Sequence, residues 1–348
     1  MRDISIKGRK IGPGHPSFII AELSANHNHQ LDRAKEIIKV AADCGADAIK
    51  LQTYTADTLT FNSNDAAFQV SGTIWEGKNL YQLYEEAHLP WDWHEPLMKY
   101  ASELGLIAFS TPFDFTAVDF LESLDVPAYK IASSELVDIP LIQRVARLGK
   151  PMIVSTGMGT LSEIDEAVQA IRNAGCEEFA LLKCTAAYPA PLEEVNLATL
   201  PHMSELFDSV VGLSDHTPGS AAPVGATALG SAIIEKHLTL DRADGGPDSA
   251  FSMEPDEFAA MVHDVRAVER AIGKVVYAPT AKEMRSRDFR RSLFVVKDMA
   301  EGEEFTPENV RSIRPAVGLH TRHYSEILGK TTTESIKAGT PLSWSLII

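Results

Sequence analysis

Val210-Val211-Gly212-Leu213-Ser214-Asp215-His216 and Ala232-Ile233-Ile234-Glu235-Lys236-His237 are two short apolar runs, each closed by a histidine. His216 and His237 stand 21 residues apart, about one strand-helix-strand step. If the runs are neighbouring parallel strands, both imidazoles emerge at the same end of the sheet, where a parallel barrel keeps its chemistry. Two convergent imidazoles suit a divalent transition metal. The alternative is two unrelated histidines, one packed inside and one on the surface.

The rhythm extends outward from this pair. Eight apolar runs lie at 18–21, 48–51, 106–109, 128–131, 152–154, 179–182, 210–213 and 232–234. Helix-like stretches separate them. Residues 31–44 carry apolar side chains at helical spacing, and Ser162-Glu163-Ile164-Asp165 opens another helix in the manner of a capping box. Residues 255–272 follow the eighth run. This alternation predicts an α/β fold, a (β/α)8 TIM barrel over residues 1–280. A doubly wound open sheet is the structural alternative, but no Gly-rich dinucleotide fingerprint follows the first run. Residues 53–91 break the rhythm with a long excursion, expected to act as a lid or substrate wall; the alternative is a plain surface loop. After residue 280 a charged linker, 281–290, leads into a small β-rich domain, 291–348, with strands expected near 293–296, 297–303 and 307–310.

Composition narrows the function. The chain has 348 residues, 45% hydrophobic and 23% charged, as expected of a globular chain with a sizeable core. No apolar run reaches membrane-spanning length, and the N-terminus lacks an apolar signal core, so a cytoplasmic location is expected. Cys44, Cys176 and Cys184 are too few and too scattered for a disulfide framework. A formal net charge of −16 argues against nucleic acid or an anionic membrane as partner. It does not exclude a small anionic substrate, since a few lysines dominate at short range.

The carboxyl ends of the eight runs carry polar residues that a barrel would gather into one cup. They are Glu22, Lys50 and Gln52, Ser110 and Thr111, Lys130 and Ser133, Ser155 and Thr156, Lys183 and Thr185, Ser214 and His216, and Glu235 and His237. A buried ammonium is costly unless paired. Lys50, Lys130 and Lys183 at one mouth therefore call for an anion, phosphate or carboxylate, with Ser133, Ser155 and Ser214 completing its hydrogen bonds. The alternative is that each lysine reaches solvent or pairs with Glu22 or Glu235. Imidazoles in oxygen-rich surroundings suit Mn, Fe, Co or Zn, and two protein ligands leave positions open for substrate oxygen and water. Cys184 reads as a packed small residue. An anion site, a metal and Glu22 together support addition of a carbon nucleophile to a carbonyl.

Taken together, these segments resemble the sialic acid synthase family, enzymes that condense phosphoenolpyruvate with an amino sugar. The resemblance rests on Ile20-Ala21-Glu22-Leu23-Ser24-Ala25-Asn26-His27, Lys50-Leu51-Gln52-Thr53, Ser110-Thr111-Pro112-Phe113, Tyr129-Lys130-Ile131-Ala132-Ser133, Ser155-Thr156-Gly157-Met158, Gly212-Leu213-Ser214-Asp215-His216-Thr217, Glu235-Lys236-His237 and Gly246-Pro247-Asp248. The tail from Arg291-Ser292-Leu293 to Arg314-Pro315 is similar to the antifreeze-like (SAF) domain of these enzymes. The resemblance implies that Lys50, Thr111, Lys130, Ser133, Ser155 and Ser214 bind phosphoenolpyruvate, with Lys183 and Arg287 as further donor-side residues. It implies that His216 and His237 hold the metal, manganese first, with magnesium or cobalt as alternatives. Glu22 would assist at the reacting centre, and Gln52, Asp248 and Arg314 would meet the sugar. It also implies a domain-swapped homodimer in which Arg314 of one subunit enters the other's site.

Departures from the family pattern sharpen the reading. Lys183-Cys184-Thr185-Ala186 stands where synthases using N-acetylmannosamine read His-Cys-Thr-Asn. Arg314-Pro315-Ala316 replaces Arg-Pro-Gly. With the segment 75–87, these choices resemble the pseudaminic acid synthase branch, whose acceptor is 2,4-diacetamido-2,4,6-trideoxy-L-altrose. Ala186 and Ala187 fit a 6-deoxy sugar. The alternatives are N-acetylneuraminate or legionaminate synthesis on the same scaffold, or a non-catalytic sugar-binding or polysaccharide-assembly protein. The last has no use for a metal pair or for Glu22.

Overall fold

The structure is a computed structural model and describes residues 3–348. It divides into two compact units, Met1–Gly273 and Lys274–Ile348.

In the first unit, β1 (Ile4–Ile6) and β2 (Arg9–Ile11) form an antiparallel hairpin. Eight parallel strands follow: β3 (Phe18–Glu22), β4 (Ala48–Thr53), β5 (Ile107–Pro112), β6 (Tyr129–Ile131), β7 (Met152–Ser155), β8 (Phe179–Cys184), β9 (Val210–Asp215) and β10 (Ile233–His237). They close in sequence order, β10 pairing with β3, which makes the expected TIM barrel.

Each strand is apolar on both faces because both are covered. One set of alternate side chains, including Ile19, Ile49, Leu51, Val154, Leu181 and Ile234, packs outward against the helices. The other set fills the interior: Phe18, Ile20, Ala48, Phe109, Ile153, Leu182 and Ile233. Ile4, Ile6 and Ile11 of the hairpin join this interior cluster and close its amino-terminal end. The sequence reading missed this hairpin. Gly212 is required at its place, because a Cβ there would lie 2.5 Å from Leu182 Cδ2 and 2.6 Å from the Ile233 carbonyl oxygen. Apolar packing thus occupies the lower layers, and side chains continuing the same two-residue parity upward open into a cup at the carboxyl end.

The excursion after β4 is structured. Its helices Ala56–Leu59 and Leu80–Ala87 each begin with a capping box, at Thr55 and Asn79. Between them Trp75 donates its indole N–H to the Pro247 carbonyl, 2.6 Å away. The segment is therefore tied across the mouth, as expected of a lid or wall.

In the second unit, β11 (Ser292–Val295) pairs antiparallel with β12 (Val310–Ile313) over a core of Leu293, Val295, Met299, Phe305, Val310, Ile327, Ile336 and Leu342. Residues 297–303, expected as a strand, form no continuous strand: Met299 makes an isolated antiparallel bridge with Ile336, and a turn follows in which Glu303 N donates to the Ala300 carbonyl and Ala300 N to the Glu303 carboxylate. No helix of the described residues is long and apolar enough to cross a membrane.

Candidate active site

Parity decides which strand-end residues meet. Glu22, Lys50, Gln52, Thr111, Lys130, Ser155, Ser214, Glu235 and both histidines continue the inward-facing sets. A cavity of about 400 Å³, within the range of small-molecule sites, opens above them. The lysines are paired inside the chain. Lys50 Nζ lies 3.0 Å from Glu22 Oε2 and 3.2 Å from Glu235 Oε1, and donates to Thr111 Oγ1 at 3.4 Å. Lys130 Nζ is 3.5 Å from Glu235 Oε1, which also accepts from Ser214 at 3.3 Å. Ser155 Oγ is buried with no partner, and Ser133 Oγ accepts from Gly157 N at 3.0 Å.

Lys183 does not join this group, which corrects the expectation of three converging lysines. It shares parity with Leu181, whose side chain packs outward, and its ammonium donates to the Cys184 carbonyl at 2.9 Å. Cys184 takes the inward position instead. It pairs in register with Ser214, lines the cavity and lies 3.9 Å from His216 Nδ1. Arg287 and Arg314 belong to the second unit. Arg287 lies against Met284 Sδ at 3.9 Å, and Arg314 is exposed with no hydrogen bond or ion pair among the described residues.

Gln52 and Asp248, expected to meet the sugar, are joined through Ser24 in one chain of hydrogen bonds. Gln52 Nε2 donates to Glu22 Oε1 at 2.9 Å and to Ser24 Oγ at 3.0 Å. Ser24 Oγ in turn donates to Asp248 Oδ2. Glu135, in a short turn after β6, also lines the cavity, and its Oε2 is buried without a partner. The sequence reading missed it because a single turn carries no periodic signal. Tyr188, Trp75 and Phe251 pack at tilted and edge-on angles beside the histidines, with Tyr188 and His216 ring centroids 4.4 Å apart.

Burial drives the titration of the cup. It pushes Glu22 up to about 7 against the pull of Lys50, and Glu135 up to about 7 as well. Burial also raises Asp248, partly offset by its bond from Ser24. For Glu235 burial acts upward too, but Lys130 and Lys50 outweigh it and hold the carboxylate low. For Lys50 burial is outweighed by Glu22 and Glu235, which hold its ammonium high, whereas burial lowers Lys130 against the pull of Glu235, so an anionic ligand would favour the charged form of both lysines.

The histidines fit a divalent ion. Their ring centroids are 5.3 Å apart. His216 Nδ1 is 3.0 Å from the Thr185 carbonyl, which commits its Nδ1 hydrogen there and leaves Nε2 as the nitrogen that could ligate. Burial lowers the His216 pKa but Cys184 outweighs it and raises it, so a bound ion would displace a proton from Nε2. Burial and the neighbouring cations hold His237 well below its usual pKa, hence neutral, and its Nδ1 is buried with no partner. Among the described residues no group of three or more His, Cys, Asp or Glu could hold a metal. An ion here would have two protein ligands, its other positions open to water and substrate.

Residues 37–277 match the NeuB family, and residues 290–348 match the SAF domain. The chain belongs to the NeuB family. This NeuB-family chain is 44% identical over 329 residues to pseudaminic acid synthase of Helicobacter pylori, covering 94% of this chain and 97% of that one. To N,N'-diacetyllegionaminic acid synthase of Campylobacter jejuni it is 37% identical, covering 92% of this chain and 97% of the other. The crystal structure of N-acetylneuraminic acid synthetase from Leptospira borgpetersenii, in complex with citrate, superposes with a TM-score of 0.73 at 31% identity, covering 82% of this chain and 95% of that one. The fold and the SAF domain expected from sequence are both present, and the chain is an enzyme of this family.

Proposed function

We propose that the protein condenses phosphoenolpyruvate with 2,4-diacetamido-2,4,6-trideoxy-L-altrose, giving pseudaminic acid and phosphate. The observation that carries this reading is the 44% identity to a pseudaminic acid synthase along nearly the whole chain, against 37% to a legionaminic acid synthase. The cavity wall supports it. The excursion contributes Leu59, Val70, Leu80 and Leu83, an aliphatic surface suited to a 6-methyl group and acetamido methyls.

In the proposed reaction, carbon 3 of phosphoenolpyruvate bonds to the acceptor's aldehyde carbon, water adds at carbon 2, and phosphate leaves as the carbon–oxygen bond breaks. Lys50 and Lys130 hold the donor's anionic groups, and the free hydroxyl of Ser155 is available to them. Glu22, near neutrality in its pKa, can hold or release a proton at its carboxyl oxygens beside the reacting atoms. Gln52 and Asp248 orient the acceptor. A divalent ion held by His216 and His237 would supply Lewis acidity toward the acceptor carbonyl, manganese being the first choice. An apolar wall rejects an added hydroxyl by about 100-fold. The trideoxy diacetamido sugar should therefore exceed N-acetylmannosamine in kcat/KM by about that factor. A preference for N-acetylmannosamine would overturn the acceptor and keep the condensation chemistry.

The acceptor site is completed in trans: Arg314 from the SAF domain of a second copy meets the sugar. Its exposed, unpaired guanidinium supports this role. Mixing inactive His216→Ala chains with inactive Arg314→Ala chains should restore activity, because one site of each mixed dimer keeps both wild-type residues. No recovery, with subunit exchange verified by mass, would show that Arg314 does not act across the dimer.

A further inference from the structure

Ser24 carries a backbone conformation that serine does not favour. Its φ is +45°, in the left-handed region that glycine occupies without steric cost. Strain of this kind is maintained only where the surroundings over-determine it, and it concentrates at functional sites. Relative to glycine, what serine adds here is one hydroxymethyl group, 4% exposed and lining the cavity.

That hydroxyl has a directed role. It has one hydrogen to give and gives it to Asp248 Oδ2. It accepts one N–H from Gln52, whose other N–H goes to Glu22 at 2.9 Å. The Gln52 amide is thereby locked with its nitrogen toward Ser24 and Glu22 and its oxygen away from them. Gln52 Oε1 and Asp248 Oδ1 have no partner among the described residues, and both side chains line the cavity. The result is two hydrogen-bond acceptors of fixed orientation, suited to two donors on one ligand, such as a hydroxyl and an acetamide N–H.

We infer that Ser24 is a positioning residue that orients Gln52 and Asp248 for the acceptor sugar, at a cost in backbone strain. This rests on the proposed condensation, since it concerns that site's acceptor half.

Two variants separate hydroxyl from backbone. Ser24→Ala removes the hydroxyl and keeps the strain; Ser24→Gly removes both. In each, kcat/KM for the acceptor should fall by about 10- to 100-fold, the range for a hydrogen bond to a charged group, while the phosphoenolpyruvate KM stays within about twofold. Ser24→Gly should nevertheless melt at a higher temperature than Ser24→Ala, by roughly 2 °C or more. Wild-type acceptor kinetics in either variant would overturn the inference, as would equal losses on the donor and acceptor sides. A Ser24→Gly protein melting below Ser24→Ala would overturn the strain. If the wild-type enzyme prefers N-acetylmannosamine, the assigned acceptor fails, and the Ser24 inference is decided by the same comparison on that sugar.

Discussion

His216→Ala and His237→Ala should each abolish turnover while leaving the barrel folded. Both imidazoles lie above the apolar layers formed by Ile20, Ile153, Leu182 and Ile233, so neither side chain supports the interior packing. Burial holds His237 neutral, and His216 has its Nδ1 hydrogen committed to Thr185 and Nε2 left to ligate, so losing either would leave the proposed ion with one protein ligand. Circular dichroism should show unchanged secondary structure beside the lost activity. Exhaustive chelation of the wild-type enzyme should match the variants, and added manganese should restore the wild type alone. Full activity after rigorous metal removal would contradict the metal assignment.

Lys50→Ala and Lys130→Ala should each raise the phosphoenolpyruvate KM by about 10- to 100-fold, the range expected of a charge-assisted contact worth ~1.5–3 kcal/mol. The two differ in stability. Lys50 bridges two buried carboxylates, at 3.0 and 3.2 Å, whereas Lys130 has one partner at 3.5 Å. Removing one member of a buried pair strands the other, at a cost of ~3–5 kcal/mol, so Lys50→Ala should melt well below Lys130→Ala. The donor KM should also depend on pH. Glu22 and Glu135 are raised to about 7, so they are neutral below that pH and ionise above it. Ionisation adds negative charge beside the lysines, so the donor KM should climb as pH rises through 7, less steeply in Glu22→Gln. Unchanged donor kinetics in both lysine variants would leave the lysines a purely structural role.

The barrel was legible because eight apolar runs with polar ends leave few other architectures, and the two histidines mark adjacent strands. Position at the end of a run was a poorer guide to the cup than parity. Lys183 ends its run as Lys130 does, yet counting back by twos reaches Leu181, on the helix-facing side. The same count would have brought in Cys184, level with Ser214. Glu235 was read as a possible partner for the lysines, and that is where both ammonium groups go. The hairpin carried a readable signal, Ile4 and Ile6 alternating before a turn with Lys7 at φ +47° and Gly8 at φ +79°. Glu135 and the direction of Ser24 had none, since both depend on turns whose geometry the full fold sets.

The most direct test is to incubate the protein with phosphoenolpyruvate, manganese and 2,4-diacetamido-2,4,6-trideoxy-L-altrose, then identify the products by mass spectrometry. The expected result is pseudaminic acid together with an equal amount of inorganic phosphate, both dependent on the sugar. Phosphoenolpyruvate and the sugar recovered unchanged, under conditions where a known synthase of the family is active, would contradict the proposed reaction.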